Sequence, residues 1–100
     1  MQDRIPAIVK LELIEGTPSE LPDGATVEVK AVMYAHLAGS RNLSNCTLVV
    51  ARDGQSIEIG LSNEHDGSKV SESALGWRFA LEMADPYHQP SRAIVEATRL

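Results

Sequence analysis

The chain is poor in the residues that most often staple a fold or carry chemistry. A single cysteine, Cys46, stands among 100 residues, which excludes an internal disulfide and a cysteine-based zinc cage and agrees with a reducing compartment. Aromatic residues number one Trp, one Phe and two Tyr. Trp77 and Phe79 share a core-like parity, so little remains on which bases could stack. Basic residues are also scarce, nine against fourteen acidic ones for a net charge of −5. They are scattered and form no patch for a phosphate backbone, so nucleic acid is not an expected partner. Apolar runs fall well short of the roughly 18 residues a spanning helix needs. Met1-Gln2-Asp3-Arg4 lacks the basic-then-apolar layout of a signal peptide. No membrane partner and a cytoplasmic location are therefore expected. No Gly-x-Ser-x-Gly elbow and no Gly-rich phosphate loop occur, so neither an enzyme nor a cofactor is expected.

What the chain does have is ordinary for one globular domain: 43% hydrophobic and 23% charged residues. A chain of this length buries roughly two-thirds of its unfolded surface, enough for one core spanning residues 1–100. Its pattern is a period of two. In Thr26 to Leu37, Val27, Val29, Ala31, Met33, Ala35 and Leu37 separate from Glu28, Lys30, Val32, Tyr34 and His36, which predicts a long strand at the centre of a sheet. Alternation recurs from Ile5 to Glu15, with Pro6 suited to an edge or a strand start. It returns from Gly76 to Ala84, with Trp77, Phe79, Leu81 and Met83 inward, and again from Arg92 to Leu100. Cys46 to Arg52 and Gln55 to Leu61 flank Asp53-Gly54, a pair that tolerates the positive φ angles of a type I′ hairpin. A two-residue loop pairs Arg52 with Gln55, Val50 with Ile57, Leu48 with Ile59 and Cys46 with Leu61, setting apolar residues opposite one another.

Six to seven strands with regular turn signals predict an all-β fold, an antiparallel β-sandwich of immunoglobulin or fibronectin-III type, with a small β-barrel as the alternative. The paired cysteines of an immunoglobulin domain proper are missing, so the resemblance is to the architecture alone. If every connection reverses the chain, loops 16–25, 53–54 and 85–91 lie at one end and segments 38–45 and 62–75 at the other.

Three constellations follow. Asp23, Asp53 and Asp85 would converge at the first end, as hard oxygen ligands for calcium; each also precedes Gly or Pro, where aspartate serves turns. His36 and His65, with Glu64 or Asp66, form a possible metal pair at the other end, remote from His88. Val32 and Tyr34, with Ile8 and Ile14, would form an apolar outer patch for a protein partner or a second copy in a homodimer. The expected function is a non-enzymatic interaction module or assembly subunit; the alternative is a small ligand- or calcium-binding domain. Cys46 shares the parity of Leu48 and Val50 and is expected in the core.

Overall fold

The computed structural model describes residues 7–37, 41–64 and 69–100. Pro6, His65, Asp66 and the Asp66-Gly67 turn lie outside them, as does most of the 38–45 connection's first half. The described chain forms β1 (Ile8–Ile14), β2 (Ser19–Glu20), β3 (Thr26–Leu37), β4 (Arg41–Arg52), β5 (Gln55–Glu64), β6 (Lys69–Val70), β7 (Glu72–Ala74), β8 (Trp77–Asp85) and β9 (Arg92–Arg99). Two antiparallel sheets result, ordered β1-β9-β8-β7 and β2-β3-β4-β5-β6. They stay separate, so the fold is a β-sandwich and not the barrel. Among the described residues no helix is long and apolar enough to cross a membrane.

The hairpin has the register that its sequence implies. Arg52 pairs with Gln55, Val50 with Ile57, Leu48 with Ile59 and Cys46 with Leu61, and both loop residues take positive φ, 52° at Asp53 and 81° at Gly54. β4 begins at Arg41, inside the stretch expected to be a connection, and continues the pairing as far as Leu43 with Glu64. It is β4, not β3, that sits in the middle of its sheet; beyond Val27, β3 has no second neighbour among the described residues.

The core is one layer between the sheets. Trp77, Phe79 and Leu81 from β8 meet Val27 and Val29 from β3, Cys46, Leu48 and Val50 from β4, and Val95 and Ala97 from β9. No polar or charged side chain is buried among the described residues. Leu21 and Ala25, from a stretch read as loop, are buried too; the Leu21 amide donates to the Ala25 carbonyl at 2.7 Å.

Two bulges shift the expected facing. Between Lys30 paired with Thr47 and Met33 paired with Asn45, Ala31 and Val32 together oppose one residue of β4. Ala31 adopts φ 54°, the left-handed conformation that lets a strand absorb an extra residue. The parity flips there: Val32 turns into the core and Met33 out to solvent, 55% exposed. Val32 is therefore no part of an outer patch. In β8 the register steps between Leu81 and Met83, so Ala84 becomes the inward residue and Met83 faces out, against expectation. Asn63 of the opposite sheet caps this second bulge, its Nδ2 donating to the Leu81 carbonyl at 2.9 Å and to the Glu82 carbonyl at 3.4 Å.

Strand directions follow from the pairing. The 15–25 segment runs back along the length of the sandwich, with β2 antiparallel to the start of β3. The segment through β6 and β7 does the same, pairing first with β5 and then with β8. The expectation that each is a simple reversal therefore fails, because each adds a traverse.

Asn63→Ala should lower the unfolding free energy by about 1–2 kcal/mol, since it strips a part-buried bulge of its donor. Ala31→Gly should raise it by up to about 1 kcal/mol by relieving the left-handed conformation. Urea denaturation with an unchanged m-value measures both.

Candidate functional site

The two ends of the sandwich carry different polar constructions. At one end Asp23 is held in the turn between β2 and β3. Its Oδ1 accepts the Ala25 amide at 3.1 Å. Its Oδ2 accepts Arg52 Nη1 at 2.7 Å and Trp77 Nε1 at 3.0 Å. One carboxylate thus joins the β2–β3 turn, the β4–β5 hairpin and the first residue of β8 in the opposite sheet. Burial pushes its pKa up, but the Ala25 amide, the indole and the Arg52 guanidinium outweigh that and hold it below the usual 3.8. A shallow, open depression of about 380 Å³ lies beside this node, lined by Gly24, Thr26, Ala51, Arg52, Asp53, Gly54, Gln55 and Ser56.

At the other end Asp85 organises the β8–β9 loop. Its Oδ1 accepts the amides of Tyr87 and His88, both at 3.2 Å. Its Oδ2 accepts Arg92 Nε at 3.2 Å. His88 Nδ1 donates to the Pro90 carbonyl at 2.7 Å, and the Glu15 amide donates to the Ser91 carbonyl at 2.8 Å. The loop so fixed presents Tyr87, which is 76% exposed. Its ring meets that of Tyr34 edge-on, with centroids 6.5 Å apart.

The three aspartates do not converge. Trp77, bonded to Asp23, and Asp85 are the two ends of β8, about 25 Å apart for a strand of this length. Asp53 stays near Asp23, beside Arg52, but occupies an exposed turn position. Asp23 already accepts three donors, and its charge is paired with Arg52. Among the described residues no group of three or more His, Cys, Asp or Glu side chains is arranged to hold a metal ion. The histidine pair lies outside the described residues through His65.

The apolar patch is also divided. Ile8 and Ile14 face outward from β1, Ile8 exposed and Ile14 partly covered. Tyr34 follows Val32 past the bulge, so it lies on the core side of its sheet, where the sandwich opens at its end. Its partner Tyr87 carried no periodic signal, because it sits in a loop. Cys46 is buried and free, and desolvation pushes its thiol up to about 12, so it is an inert core residue.

Asp23 contributes stability while it is ionised. Because its folded pKa is depressed, that contribution is present above the ordinary carboxylate value and is lost as pH falls through and below about 3.8. Asp23→Ala should cost about 2–4 kcal/mol at pH 7, leaving Arg52 and the Trp77 indole without their acceptor. Asp23→Asn should flatten the acid limb of the stability curve, measured by urea melts between about pH 2 and 6. Comparison of the chain with protein-family models, curated proteins and solved structures finds no match.

Proposed function

We propose that this chain is a non-enzymatic interaction module that binds a protein partner through the end of the sandwich bearing Tyr34 and Tyr87. The observation that carries this reading is the exposed pair of Tyr34, on β3, and Tyr87, on a loop tied down by Asp85. Tyr34 is 39% exposed although it stands on the core side of its sheet, and Tyr87 beside it is 76% exposed. Large apolar side chains grouped in water mark contact surfaces on small domains. Tyrosine suits such a surface because a rigid ring with a polar tip gives much contact area for little lost rotamer entropy. A loop ordered before binding lowers the ordering cost further. A second copy of this chain is one form the partner takes. We take the module to work in the cytoplasm, a reading supported by its lone, buried cysteine.

Tyr87→Ser should leave Tm within about 2 °C, because the side chain is exposed. It should weaken the partner's binding about 30-fold, the effect of removing a tyrosine worth about 2 kcal/mol at an interface. Parallel affinity capture on wild-type and Tyr87→Ser baits, with light scattering of each, measures this. Equal capture on both baits together with equal molar masses rejects the reading.

A further inference from the structure

Among the described residues the second sheet has an edge stretch with no hydrogen-bonded neighbour. In a two-residue hairpin the flanking pair exchanges both hydrogen bonds, so Arg52 and Gln55 are bonded to each other, and bonding alternates from there. Ile57, Ile59 and Leu61 therefore spend their backbone groups on β4, and Ser56, Glu58 and Gly60 point theirs away from it. Ser62, next in that series, pairs with Val70 of β6 as the alternation requires. Among the described residues β6 pairs with Ser62 and Asn63, and the chain then passes to the other sheet, where β7 pairs with β8 while staying close to β5. Among the described residues Ser56, Glu58 and Gly60 have no partner on this edge.

The side chains along the edge match an incoming strand. Ile57 shares the inward parity of the buried Ile59 and Leu61, yet it is 40% exposed, because the facing sheet ends at the three-residue β7. Gly60 needs no glycine for its own sake: its φ is outside the left-handed region, and a Cβ there would meet nothing within 4 Å. A glycine in mid-strand suits the close approach of another backbone. The devices that block edge pairing stand elsewhere: β3 carries the Ala31 bulge and Lys30, and β1 carries Lys10. Between Gln55 and Leu61 there is no proline, no cation and no bulge, and the pairing with β4 is unbroken. The exposed charges around it are three acidic ones, Asp53, Glu58 and Glu72, against one cation, Lys30, which is paired to Glu58; nearby Arg52 is engaged by Asp23.

We propose that the open edge of β5 at Ser56, Glu58 and Gly60 takes up an extended, basic segment of a partner protein as an added strand. The segment bonds to those three residues, lays alternate apolar side chains over Ile57 and Ile59, and sets a cation against Glu58, which Lys30 reaches from the other side at 2.8 Å. This edge is separate from the Tyr34–Tyr87 surface and does not rest on it.

The probe is a fluorescein-labelled peptide, Lys-Thr-Val-Lys-Val-Thr-Lys, read by anisotropy. Saturable binding with Kd of about 100 μM or tighter is expected. Glu58→Pro, which removes an outward N–H and no internal ladder bond, should weaken it at least about tenfold, as should Ile57→Lys; thermal melts establish that each variant folds. N-methylation of the Thr, central Lys and Thr nitrogens should abolish binding, and Glu in place of each Lys should weaken it. No saturable binding by about 1 mM, binding indifferent to N-methylation, or binding retained by both folded variants overturns the proposal. So does light scattering that finds a wild-type dimer and a monomeric Glu58→Pro variant, which would assign the edge to a second copy.

Discussion

Every strand must send alternate side chains into one layer between two sheets, and most of the structure answers to that constraint. A strand's period is two, so a single extra residue turns everything after it to the other face. Among the described residues the chain uses that lever twice, at Ala31–Val32 in β3 and at Leu81–Met83 in β8. The first bulge recruits Val32 to the core and releases Met33. The second brings in Ala84 and releases Met83. Each bulge also frees backbone groups, and in β8 the carbonyls concerned are met by Asn63 from across the core.

Among the described residues the core buries no polar or charged side chain, and the polar work is done at the two ends. Asp23 and Asp85 look alike in sequence, each an aspartate entering a turn, but their surroundings differ. Asp23 reaches across the sandwich to Arg52 and Trp77, so it fixes how the sheets meet. Asp85 bonds within its own loop and to its cross-strand neighbour Arg92, so it fixes only the loop. The first role closes an end; the second holds an end open, with Tyr87 displayed beside Tyr34.

Interaction through this molecule is thus a matter of places where the single core layer runs out. Tyr34 keeps core parity but lies beyond the facing sheet's cover, and so does Ile57 at the opposite end. Side chains of this kind are cut for burial and left without it. They differ from Ile8, which simply points outward on an edge strand. Exposed core-parity residues are the ones whose burial by a partner would continue the fold's own packing.

Much of the architecture was legible in the sequence because it rests on local rules. Alternation marked the strands, and Asp53-Gly54 with its flanking apolar residues determined the hairpin and its register, since turn type and pattern agree pair by pair. The bounds of β3 and the core placement of Cys46, Trp77 and Phe79 follow from the same signals. The tertiary structure alone decided the rest. Ala31 has no residue signature for a bulge; its left-handed φ is sustained by pairing with β4, so the facing of Val32 and Tyr34 could not be read locally. The two-residue strands β2 and β6 are too short for any period, yet they mark traverses that reverse the chain and send Asp85 to the end remote from Asp23. Local pattern determines which residues alternate, because neighbouring side chains settle that within a few bonds. Which ends meet depends on the count of chain reversals, and that count is settled only when distant strands hydrogen-bond.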